Sequence, residues 1–82
     1  MSRLEALRNL GPKTALMLAE AGIADARELR EVGAIDAFLK LRATTAHRVS
    51  LVALYAMHAA LLDRDWRNLS EEERAALRHA VG

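Results

Sequence analysis

From Val49 to Leu62 the chain carries no Asp, Glu, Lys or Arg. Val49, Leu51, Val52, Leu54, Tyr55, Met57, Leu61 and Leu62 point to every side of a helix with a 3.6-residue period. A helix over about Ala46–Leu62 is therefore apolar nearly all round, and such a helix is stable when its neighbours bury it. The run is too short to span a bilayer, and Ser50 and His58 interrupt it. The rest of the chain must wrap around it as a central strut. Eighty-two residues supply one domain, residues 1–82, near the lower limit for a self-sufficient core. Hydrophobic residues make up 52% of it, enough for a globular fold. Richness in Ala, Leu, Arg and Glu, with a single Pro, predicts an all-α fold of about five to six short helices.

The first local signal is Leu7-Arg8-Asn9-Leu10-Gly11-Pro12-Lys13-Thr14-Ala15. It predicts a helix over roughly Ser2–Arg8, a tight turn at Asn9-Leu10-Gly11, and a second helix over Pro12–Ala21. Pro12 suits the first helical position, where a missing N–H costs nothing. Gly11 can take positive φ at no steric cost, and Asn9 tolerates the same region better than most residues. Gly22 is expected to stop the helix, with Ile23 packing back onto it. Ala15 and Ala19, one turn apart, would let a neighbouring helix approach closely. The pattern resembles a helix-hairpin-helix motif, with Asn9 in place of the first hairpin glycine. The resemblance implies phosphate binding at the start of the second helix, where free N–H groups and the helix dipole favour an anion. Lys13 adds a charge there and Thr14 a hydroxyl. An ordinary αα-corner is the alternative reading.

Leu29-Arg30-Glu31-Val32-Gly33-Ala34-Ile35-Asp36-Ala37 repeats that stretch at an offset of 22, with Leu, Arg, Gly and Ala in matching places. It reads as a degenerate second hairpin. Ile35 replaces Lys13 and Asp36 replaces Thr14, so this copy would repel phosphate and serve as packing scaffold. Net charge is +1, yet charge is unevenly distributed. Residues 1–18 hold Arg3, Arg8 and Lys13 against Glu5, a net +2. Residues 20–36 hold five acids against Arg27 and Arg30, a net −3. Residues 40–48 hold Lys40, Arg42 and Arg48 without an acid, a net +3. The first and third segments would form a phosphate-attracting patch if the fold joined them.

Asp25 is expected to cap a short helix ending near Gly33, with Glu28 completing a capping-box-like pair. A further helix is expected over about Ala34–Arg42, and Thr44 or Thr45 to cap the strut. Tyr55 reads as core with its hydroxyl at an edge. Asp63-Arg64-Asp65 reads as a polar turn, and Trp66, expected to be largely buried, and Leu69 as anchors of the tail. Ser70-Glu71-Glu72-Glu73 is a capping box opening a last helix, which offers Ala75, Ala76, Leu77 and Val81 for burial.

Catalytic constellations are not found in the sequence. There is no cysteine, hence no disulfide and no thiolate metal site. His47 and His58 would lie about 16 Å apart on one helix, too far for a shared metal. No glycine-rich nucleophile elbow or Walker loop occurs. No enzyme activity, cofactor, metal or small-molecule substrate is expected. No secretory signal is visible in residues 1–18, and a cytoplasmic location without membrane association is expected.

Taken in order, several stretches resemble the C-terminal domain of the TfoX/Sxy family, bacterial regulators of natural competence. They are Leu7 to Thr14, Leu18-Ala19-Glu20-Ala21-Gly22-Ile23 and Glu28 to Ala34. Arg48-Val49-Ser50-Leu51, Leu54-Tyr55-Ala56 and Trp66-Arg67-Asn68-Leu69 follow. The likeness covers about residues 4 to 78. In that family this domain often follows an α/β domain, of which these residues carry none. The resemblance implies a helix-hairpin-helix-like fold and a role in DNA transformation or transcriptional control. Two functions are compatible with it. One is non-specific binding of DNA phosphates through Arg8, Asn9, Gly11, Lys13, Thr14 and Arg48. The other is a protein–protein adaptor with no DNA contact, for which a regulatory protein would be the partner.

Overall fold

The computed structural model describes residues 4–44 and 49–82, without the side chain of Glu5. Over these residues the chain is all-helical. A 3-10 turn, Leu4–Ala6, leads to α1 (Pro12–Glu20), α2 (Ala26–Val32) and α3 (Ala34–Thr44). Then come α4 (Leu51–Leu61), a second 3-10 turn at Trp66–Asn68, and α5 (Glu71–Ala80).

α4 is the strut that its composition demands. Leu54, Tyr55, Ala56, Met57, Ala59 and Ala60 are all buried. α3 and α5 pack against it, as does the Trp66 turn, while α1 and α2 pack on α3. Phe38, Leu18, Ile23, Leu29, Leu41, Leu54 and Met57 are fully enclosed at the centre. The strut is shorter than its apolar run. It starts at Leu51, because Ser50 takes extended backbone angles as N-cap. Ala46, His47 and Arg48 lie outside the described residues.

Helix ends follow their local chemistry. The Asp25 carboxylate accepts from the Glu28 N–H at 2.9 Å. Glu28 reaches back to the Ala24 N–H rather than that of Asp25, so its box is shifted by one residue. Gly22 at φ +91° ends α1. Its N–H donates to the Ala19 carbonyl and that of Ile23 to Leu18, a Schellman closure with Ile23 buried. Asp63 at φ +54° ends α4 the same way, through Asp63 to Ala60 and Arg64 to Ala59. Ser70 and Glu73 form the full reciprocal box at α5.

Several expectations need correcting. In place of a helix over Ser2–Arg8, the described residues form one 3-10 turn. Of the two residues able to take positive φ in the first turn, Asn9 does so, at +74°, while Gly11 lies at φ −102°, extended backbone. Thr44 stays inside α3, its hydroxyl donating to the Lys40 carbonyl at 2.8 Å. Thr45 lies outside the described residues. Ala19, Ala75 and Ala76 are exposed. Trp66 packs against the core with most of its surface covered, and the Arg74 guanidinium lies over its ring at 5.7 Å from the centre. Tyr55 is buried with its hydroxyl accepting from Arg78 at 3.0 Å, as expected.

The repeat survives in part. Gly11 and Gly33 each open a helix, their carbonyls accepting from Ala15 and Ala37 at 3.0 Å. The bends before them differ. In the second copy Gly33 itself is left-handed, at φ +86°, while Glu31, the counterpart of Asn9, is helical. The chain is thus broken at Gly33, but the two corners are built differently.

Candidate functional site

The bend before α1 is held from a distance. The Asn9 amide donates to the Arg64 carbonyl at 2.7 Å and to that of Ala56 at 3.4 Å. Its oxygen accepts from the Trp66 N–H at 3.3 Å. Asn9 therefore ties the start of α1 to the middle of α4 and to the turn that follows it. Its side-chain amide and oxygen are thus engaged within the fold, at the edge of the α1–α4 groove.

This tie opens a groove of about 510 Å³ between α1 and α4. Lys13, Thr14 and Met17 form one wall, and Val49, Ser50, Val52 and Ala53 the other. Asn9, Ala56 and Trp66 close the end. Its surface is mainly apolar: Met17, Val49 and Trp66 are half-buried, and Val52 is 44% exposed. Among the described residues no carboxylate lines it.

Charge at the two helix starts is the second feature. Helix N-termini carry unpaired N–H groups and a partial positive charge, which a capping side chain or an acid normally answers. Among the described residues, α2 has Glu28 in its first turn, α3 has Asp36, and α5 has Glu71, Glu72 and Glu73. α1 and α4, the two helices that begin at the groove, have none. Neither Gly11 nor Ser50 contributes a side-chain cap bond. Lys13 in the first turn of α1 raises the positive potential further and is exposed, with no carboxylate partner among the described residues.

Other predicted site residues are placed less favourably. Arg8 is exposed. Its charge contributes to holding the Asp65 carboxyl below the usual range, after the larger effects of the Arg67 side chain and backbone N–H. Thr14 is half-buried in the groove wall. Arg48 lies outside the described residues, so no joint patch with Lys13 is defined. Sequence reasoning missed Met17, Val52 and Trp66 as groove residues. The available signal was an amphipathic mismatch: apolar side chains beside Lys13 and Ser50 at two uncapped helix starts.

The described residues also line two further recesses. One of about 540 Å³ between α2 and α3 is edged by Glu31, Asp36 and Lys40. Another of about 300 Å³ beside Gly33 is edged by Asp36 and His58. Neither combines an apolar floor with one sign of charge. No group of three metal-ligating side chains occurs among the described residues, and no helix there is long and apolar enough to cross a membrane.

The described residues thus form an all-α domain built on a buried strut, with an apolar groove whose rim carries Lys13. The chain belongs to the TfoX C-terminal domain family, whose model matches residues 1–81. It is similar to a protein of unknown function from Listeria monocytogenes solved in a tetragonal crystal form. Identity is 31%, the TM-score 0.87, and 94% of each chain is covered. A triclinic crystal structure of an uncharacterized Listeria monocytogenes protein matches at 31% identity and a TM-score of 0.86, over 94% of this chain and 86% of that one. No curated relative matches the chain.

Proposed function

We propose that this is a non-catalytic regulatory domain of the cytoplasm that acts in the control of DNA transformation by docking a partner protein in the α1–α4 groove. The observation that supports docking most directly is the apolar floor. Met17, Val49, Val52 and Trp66 leave accessible hydrophobic surface in a concave site, the kind of surface that a partner's side chains fill. A phosphate backbone has nothing apolar to place there.

Membership of a family related to competence regulators supports the regulatory part. The second reading is non-specific DNA contact through Arg8, Lys13, Thr14 and the N–H groups after Gly11. The exposed Lys13 at an uncapped helix start favours it. Titration of fluorescent duplex and single-stranded DNA from about 50 mM salt upward separates the two. Docking predicts no salt-dependent shift. Binding that is lost in Lys13→Glu but kept in Val52→Arg would reject docking in favour of phosphate contact.

A further inference from the structure

The groove's charge says what kind of segment fills it. Three helices of this fold answer their own N-terminal charge with an acid in the first turn: α2, α3 and α5. α1 and α4 do not, and both open at the groove beside exposed Lys13. Ser50 has the side chain and the extended backbone of a good N-cap, yet its hydroxyl makes no cap bond. The groove thus combines an apolar floor with a rim of positive potential, and among the described residues no acid lines it.

We infer that the partner is an acidic peptide segment of another protein. It carries a large apolar side chain that seats between Met17 and Val52, against Trp66. One or two carboxylates within a few residues of that anchor lie at the starts of α1 and α4, next to Lys13. This inference rests on the docking reading and gives it a chemistry. A carboxylate at those helix starts supplies the charge that the chain's own first turns omit. The apolar anchor supplies selectivity over free nucleic acid, whose phosphates match the rim but not the floor.

The test is selection of random peptides of about a dozen residues on the intact immobilised domain, followed by fluorescence-anisotropy titration of the enriched peptides. Enriched sequences should pair Asp or Glu with Leu, Phe or Trp. Lys13→Glu should weaken them about tenfold, since attraction at an exposed site becomes repulsion. Raising salt to about 0.5 M should weaken them as well. Val52→Arg should abolish binding although it adds a favourable charge, because the longer side chain fills the groove. Both residues are exposed, so the variants keep the fold, which circular dichroism checks. Peptides that depend on Val52 but are neutral or basic would overturn the acidic-partner inference and leave docking standing. Peptides insensitive to Val52→Arg, or a duplex oligonucleotide that outcompetes them, would overturn docking itself.

Discussion

The starts of α1 and α5 solve the same physical problem in opposite ways. α5 satisfies its first N–H groups locally: Ser70 accepts from Glu73 at 3.1 Å and Glu73 accepts from Ser70 at 2.9 Å. Glu73 is also gripped by Arg64 at 2.8 Å. α1 begins at a glycine without a cap, with a lysine in its first turn and no acid. Its position is fixed from behind by Asn9, through residues 47 to 57 positions away. A local solution makes a helix start self-sufficient and closed to ligands. A remote one leaves the positive end open. The difference separates a helix start closed by its own side chains from one whose first N–H groups meet no acid or cap.

The largest effect should come from cutting the remote tie. Asn9→Ala loses three partners and forces a non-glycine residue to stay at φ +74°. A cost on the order of 2–4 kcal/mol follows, a large share of the stability of so small a domain. Asn9→Gly keeps the backbone angle and isolates the side-chain part. Urea denaturation of both checks this. A loss below about 0.5 kcal/mol for Asn9→Ala would show that α1 does not depend on the tie.

Next comes the local solution. Ser70→Ala should cost about 1 kcal/mol, and Ser50→Ala at the uncapped start of α4 less than about 0.5 kcal/mol. Equal losses would erase the contrast between capped and uncapped starts.

Acid should reveal the same contrast. The Arg64 side chain and the Ser70 N–H push the Glu73 carboxyl from its ordinary 4.5 down to about 2. A carboxyl held below its unfolded value stabilises the fold above that value. The contribution is complete above about pH 4.5 and is lost as pH falls towards 2. The melting temperature should decline over that window, and Glu73→Gln should flatten the decline. An unchanged slope in Glu73→Gln would place the acid sensitivity elsewhere.

The sequence disclosed the elements whose chemistry is local. Asp25, Gly22-Ile23 and Ser70–Glu73 carry their helix ends within a few residues, and the uncharged run around Leu54 and Met57 had to be a buried strut. It left the bend before α1 open between Asn9 and Gly11. Gly11 has the freedom to take positive φ, but Asn9 has long-range partners at Ala56, Arg64 and Trp66 that hold it there instead. It placed Trp66 against the core, where Arg74 stacks on both Trp66 and Tyr55. The groove itself was not legible, although Lys13 was. Its walls come from helix starts about 40 positions apart in the chain, and no local pattern states that α1 and α4 open side by side.

The smallest effect is the sharpest, because two readouts move in opposite directions. Gly11 has extended backbone angles that any residue adopts, and a Cβ placed there meets nothing within 4 Å. Gly11→Asp therefore adds a capping carboxylate without strain. It should stabilise the domain by a few tenths of a kcal/mol, up to about 1, by accepting from the first N–H groups of α1 and answering its dipole. The same carboxylate stands where the partner's acid is expected and faces Lys13 from within. Affinity for acidic peptides should fall severalfold while urea stability rises. Gly11→Ala, which adds the Cβ without the charge, should leave peptide affinity nearly unchanged. If Gly11→Asp raises stability and binding is unaltered, the start of α1 is merely uncapped, and the groove recognises its partner through the apolar floor alone.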